Sequence, residues 1–179
     1  MQRGSLRIRD RLFRRCDCRL EMRRRMSVQN QYDKLFETLD LLCEGETDRI
    51  ALMATIACEL HGAFEHFHWT GFYRNIGGGV LKIGPYQGAH GCLTIDFSRG
   101  ICGRCARGKT VQNIPDVAAE ADHIACSATT KSEIVLPILD ADGELIAVLD
   151  IDSNTPGAFD EIDEMNLRRI GAYFKSTDA

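Results

Sequence analysis

The sequence predicts an α+β domain, a central antiparallel sheet with helices packed on one side, and three observations carry that expectation. Apolar residues recur at helical spacing near both ends of the chain. Runs rich in aromatic and β-branched residues occupy the middle and the C-terminal third. Two of those runs, EIVLPIL and ELIAVLDID, flank DADG, whose Asp-Gly pair marks a hairpin. The order helix–helix–strands–loop–strands–helix, with hairpin-linked strands, favours helices segregated to one side of an antiparallel sheet.

Taken in order, Tyr32, Leu35, Phe36, Leu39 and Leu42 form an amphipathic stripe that ends near Gly45. Thr47 is placed to cap a second helix, with Asp48 favourable in its first turn. Ile50, Met53, Ala57 and Leu60 would be its buried stripe, and His61-Gly62 its end. HFHWTGFYRN reads as a strand with Phe67, Trp69, Gly71 and Tyr73 on one face. IGGG turns the chain into VLKIG. The segment from Pro85 to Lys131 is rich in Gly, Cys and polar residues, and is too long for an idle loop. Short elements and a site are expected there. Pro137 inside EIVLPIL disfavours a fully paired central position. In Leu149-Asp150-Ile151-Asp152, period two puts both carboxylates on one face. The same pattern also fits a strand that merely ends at the surface. Asp160 is placed to cap a final helix that turns Ile162, Met165, Ile170 and Phe174 inward.

A chain of 179 residues that is 44% hydrophobic suits one globular domain. No apolar stretch reaches the roughly 18 residues of a membrane span, so no transmembrane helix is expected. The formal net charge of −4 divides unevenly: residues 1–25 carry ten arginines and sum to +7, the remainder to −11. An acidic body argues against a nucleic-acid face. Residues 1–26 are therefore expected as a basic, disordered extension and residues 27–175 as the folded domain. The N-terminus has no apolar h-region, which predicts a cytoplasmic, reducing setting. Eight cysteines are too few for a disulfide scaffold, and free cysteines in such a setting point to redox, catalytic or metal chemistry. Cys43 and Cys58 lie in helical patterns and read as small buried residues.

The middle segment holds Cys92, Cys102, Cys105 and Cys126. Cys102-x-x-Cys105 has the first-pair spacing of a zinc site, but Cys92 and Cys126 form no second pair, so no metal is expected. A thioredoxin-type motif would need a helix start after a parallel strand, which this order does not supply. A third reading is thiol redox chemistry, in which one cysteine attacks an electrophile and another resolves the product. That chemistry needs proton donors, and Glu133, Asp150 and Asp152 stand in strands that otherwise read as buried. Buried carboxyls have raised pKa values and can donate protons near neutrality. His123, three residues before Cys126, reads equally as a thiolate partner or as support for that loop.

WTGFY, GPYQG followed by a cysteine, GICG, HIAC, SEIVLPI and VLDIDS…FD resemble the small GAF-domain enzymes that reduce free methionine-(R)-sulfoxide. The resemblance covers about residues 27–175, and Cys105 is additional to it. It implies a GAF-like antiparallel sheet of about six strands with a helical layer behind. It implies that Cys126 attacks the sulfoxide sulfur and that Cys92 closes a disulfide onto it, with Cys102 a further thiol nearby and the alternative attacker. Glu133 would be the acid, Asp150 and Asp152 would bind the substrate amino group, and Trp69 and Tyr73 would wall the methyl-sulfur end. It further implies a thioredoxin-like reductant, no metal or organic cofactor, and allows a homodimer. GAF folds also serve as ligand sensors. A non-enzymatic small-molecule or redox sensor is therefore the rival expectation.

Overall fold

The computed structural model describes residues 5–120 and 127–177, with side chains from residue 22 onward. Its elements are α1 (Ser5–Leu42), α2 (Arg49–Ala63), β1 (Trp69–Asn75), β2 (Val80–Gln87), β3 (Thr94–Asp96), α3 (Gly100–Gly108), β4 (Gln112–Ile114), β5 (Ser132–Leu139), β6 (Leu145–Ser153) and α4 (Glu161–Leu167). Short 3₁₀ segments, Val117–Ala119 and Arg168–Phe174, complete it. The strands form one antiparallel sheet in the order β3-β2-β1-β6-β5-β4, the expected six-stranded α+β architecture. Among the described residues no helix is long and apolar enough to cross a membrane.

Each face of the sheet has its own core. On one face α1, α2, α4 and the final 3₁₀ segment bury Tyr32, Phe36, Leu39, Met53, Ile56, Phe72, Leu149 and Phe174 together. On the other face the middle segment folds back. There α3 sets Ile101, Cys102, Cys105 and Ala106 against Trp69, Tyr73, Val135 and Val148. The long Pro85–Lys131 stretch thus holds β3, α3 and β4, as its length predicted.

In the backbone α1 runs from Ser5 to Leu42. From Leu6 to Leu42 there is no glycine or proline, and Arg, Leu and Met are strong helix formers. Several local expectations are corrected. Asp48, not Thr47, caps α2: its carboxylate accepts from the Ile50 and Ala51 amides, at 2.7 and 3.0 Å. The buried stripe of α2 is Leu52, Met53, Ile56, Ala57 and Leu60, and Ile50 is exposed. Phe67 precedes β1 and packs in the helical core, opposite Trp69 and Tyr73. Met165 is exposed, while Leu167, Ile170 and Phe174 are buried. Asp160 does cap α4, in a capping box with Asp163.

Pro137 sits one strand in from the edge without leaving a gap in the ladder. Its neighbour β4 reaches only Glu133–Val135, so the missing N–H falls beyond the paired stretch.

Candidate active site

Strand register gathers the site. Residues directly opposite one another in an antiparallel pair share a face. Trp69 lies across from Asp152, and Asp152 across from Glu133. In the next row of that face Gly71 lies across from Asp150, and Asp150 across from Val135. Three carboxylates from β5 and β6 therefore stand beside the aromatic residues of β1, on the face that α3 covers. The strand-end alternative for Asp150 does not hold, because it is only 6% exposed, and Glu133 only 5%.

The helix α3 is held close by Gly103. A Cβ there would come within 2.7 Å of the Asp96 and Phe97 carbonyl oxygens. This approach lowers Cys102 onto the acids: its Sγ lies 4.0 Å from Glu133 Oε1. One ligand atom each from Cys102, Glu133 and Asp150 falls within 4.8 Å of the others. Cys105, one turn on, is buried and directs its thiol to the Val135 carbonyl at 3.7 Å.

Crowding and burial set the protonation. Burial pushes the Glu133 carboxyl well up, Asp150 and Asp152 push it further, and Arg104 pulls against them. Arg104 was not singled out in the sequence. It is also engaged by Glu120 at 2.9 Å, so its charge is shared. Asp150 rises through burial and the neighbouring Asp152, while hydrogen bonds with Cys102 and Glu133 act the other way. Burial lifts Asp152 to about 7. The Cys102 thiol is raised by burial and then by Asp150 and Glu133, which keeps it neutral. Burial likewise lifts Cys105 to about 12.

Beside this cluster a cavity of about 180 Å³ is lined by Trp69, Tyr73, Gly91, Thr130 and Asp152, among others. The Trp69 ring stacks on Tyr73 at 5.6 Å and on Tyr86 at 5.4 Å, and its indole N–H donates to the Ala89 carbonyl. Gly91 keeps the wall open: a Cβ there would come within 2.9 Å of the Tyr73 hydroxyl and 3.0 Å of the indole ring. Thr130, His90 and Asn154 also line the cavity, though no motif marked them; only their nearness to Cys126, Cys92 and Asp152 in sequence could have. A larger hollow, about 600 Å³, opens at the far end of β1 near the α2 N-terminus. None of the predicted site residues lines it.

The structure thus brings Trp69, Tyr73, Glu133, Asp150, Asp152 and Cys102 to one face. Cys92 packs against the same core and is disulfide-bonded, whereas Cys43, Cys58, Cys102 and Cys105 are free. Cys126 and His123 lie outside the described residues.

A family model described as a GAF domain matches residues 44–175. The chain is 43% identical over 143 residues to Protein YtsP of Bacillus subtilis, covering 79% of this chain and 87% of that one. It is 38% identical over 150 residues to the free methionine-R-sulfoxide reductase of Escherichia coli, covering 84% of this chain and 90% of that one. The crystal structure of free methionine-R-sulfoxide reductase from Neisseria meningitidis, in complex with its substrate, superposes with a TM-score of 0.75 at 37% identity, covering 80% of this chain and 86% of that one. The chain belongs to the GAF domain family, in the group that holds the free methionine-R-sulfoxide reductases.

Proposed function

We propose that this protein reduces free methionine-(R)-sulfoxide to methionine, with Cys126 as attacking thiol, Cys92 as resolving thiol and Glu133 as proton donor. The observation that carries the reading is the convergence of Glu133, Asp150 and Asp152 behind a small aromatic-walled cavity. The named relatives and the substrate-bound neighbour support the same substrate.

The chemistry balances with two thiols. The Cys126 sulfur attacks the sulfoxide sulfur while Glu133 protonates the oxygen, so an S–S bond forms as the S–O bond breaks and water is released. That water attacks the Cys126 sulfur and breaks the S–S bond, which frees methionine as a thioether and leaves Cys126 as a sulfenic acid. The Cys92 thiol displaces the sulfenic oxygen as water and forms a disulfide, and a thioredoxin-like dithiol then takes the oxidising equivalent away. A sulfoxide is a poor electrophile until its oxygen is protonated or strongly hydrogen-bonded. A carboxyl held neutral by burial supplies that proton without competing solvent. Cys102 is a poor candidate attacker, because a buried, acid-flanked thiol is a weak nucleophile. Its place beside Glu133 suits a further thiol of the redox set.

Asp150 and Asp152 take the free ammonium group. A peptide-bound methionine carries no such charge and would leave these carboxylates unpaired, so the pocket selects the free amino acid. Trp69 and Tyr73 hold the methyl-sulfur end.

The test is an epimer-resolved assay: purified protein, dithiothreitol and racemic free methionine sulfoxide. The R epimer should disappear while the S epimer persists. Persistence of both would leave a ligand-sensing GAF domain instead.

A further inference from the structure

The cluster of Cys102, Glu133 and Asp150, to which the proposed reaction gives a redox thiol, a proton donor and an ammonium contact, also presents a metal donor set: one sulfur and two carboxylate oxygens from three separate elements. All three residues are buried, and one ligand atom from each lies within 4.8 Å of the rest. Asp150 Oδ1 is buried and has no hydrogen-bond partner among the described residues. A buried polar atom left without a partner is rare in a folded core. From these observations we infer a cation site: Cys102, Glu133 and Asp150 form a three-ligand pocket for a thiophilic divalent cation of the Zn²⁺ class.

The donors choose the class. A sulfur ligand disfavours Mg²⁺ and Ca²⁺, which want six or more oxygens. One thiolate and two carboxylates, with a fourth position open, suit Zn²⁺ and its soft analogue Cd²⁺. Tetrahedral zinc sets a sulfur and an oxygen donor about 3.5 Å apart. The Cys102–Glu133 separation of 4.0 Å therefore has to close by only about half an ångström. A cation entering here displaces protons from the buried cluster, and it meets little competing positive charge, because the nearby Arg104 is shared with Glu120. The cluster adjoins the cavity: Asp152, which lines it, stands directly across from Glu133 in the sheet. This donor set differs from the four-thiolate arrangement that cysteine spacing suggests: Cys92 is disulfide-bonded and Cys105 points to the Val135 carbonyl.

The site rests on geometry. Only its consequence, exclusion of the substrate ammonium and loss of turnover, rests on the function proposed above.

The experiment uses the full chain with Cys16, Cys18 and Cys58 replaced by serine, oxidised so that Cys92 stays bonded and Cys102 free. Titration with Cd²⁺ should give one equivalent bound, with the ultraviolet sulfur-to-cadmium charge-transfer band. Cys102→Ser should abolish the band, Glu133→Gln and Asp150→Asn should each weaken binding at least tenfold, and Cys105→Ser should leave the band in place. Circular dichroism checks that each variant is folded. No band in the parent, an undiminished band in Cys102→Ser, or a band lost in Cys105→Ser alone overturns the site. Should a variant fail to fold, isothermal calorimetry on the parent still decides, since absence of a single stoichiometric Cd²⁺ event rejects the pocket. An active enzyme that binds no Cd²⁺ refutes this inference alone, and an inactive protein that binds one refutes only the proposed reaction.

Discussion

At the scale of single residues the acids set function against stability. Asp152 titrates at about 7 in the folded chain and at about 4 when unfolded. Between those values the folded state binds more protons than the unfolded, so stability falls as pH rises through the window. Asp152→Asn removes that loss. The variant should gain little at pH 4 and about 1–3 kcal/mol above pH 7, read as unfolding free energy in denaturant at each pH. A gain independent of pH would show that Asp152 is not ionising in the fold. The same substitution weakens the ammonium contact, worth about 1.5–3 kcal/mol for a charged hydrogen bond, so KM should rise about 10- to 100-fold. Cysteine variants separate the redox roles. Cys126→Ser should yield no methionine in a single turnover, whereas Cys92→Ser should yield one equivalent and then stall with thioredoxin as reductant. Loss of that first equivalent in Cys102→Ser alone would transfer the attacking role to Cys102. Most of these residues were legible in the sequence because a charge or thiol inside an otherwise apolar run is conspicuous. Arg104, Thr130 and Asn154 were not, because polar residues in a polar segment carry no contrast until the chain folds over the site.

Elements place those residues, and α3 is the one whose position matters most. An alanine at a helix interior is ordinarily better than glycine by about 0.8–1 kcal/mol. At Gly103 the new Cβ would meet two backbone carbonyls at 2.7 Å, and backbone cannot rotate aside as a side chain can. Overpacking of this kind costs about 1–3 kcal/mol, so the steric term wins. Gly103→Ala should lower the melting temperature and lift Cys102 away from Glu133, with kcat falling and circular dichroism preserved. A raised melting temperature would mean that α3 is not held by this contact. The GICG motif in the sequence marked the place but not the reason, since contact with the Asp96 and Phe97 carbonyls is made only in three dimensions. The β5–β6 hairpin was more readily legible. The Asp-Gly turn is local, and Asp140 accepts from the Asp142 and Glu144 amides within it. The α2 cap was misassigned for a local reason too: Glu46 already holds the Thr47 and Asp48 amides, each at 2.8 Å, which moves the helix start onward.

For the whole molecule, the question is how much of α1 the fold needs. The GAF match begins at residue 44, yet Tyr32, Leu35, Phe36, Leu39 and Cys43 are all buried in the helical core. Tyr32 also donates to Asp163 at 2.8 Å, joining α1 to α4. Fully burying such side chains is worth about 1.5–3 kcal/mol each, and their sum rivals the 5–15 kcal/mol that typically separates folded from unfolded. A chain beginning at Glu44 should therefore fail to fold, despite containing the whole family match. Residues 22–27, by contrast, are exposed, and Arg25 pairs with an exposed Glu161 at 3.6 Å. Surface ion pairs of that kind contribute about 0–1 kcal/mol. A chain beginning at Met26 should keep its kcat and melt within a few degrees of the full chain, while its net charge falls from −4 to −11. Thermal melts and the epimer-resolved assay on both truncations check this. A large loss of activity on removing residues 1–25 would make the arginine-rich arm part of the working enzyme rather than an appendage to it.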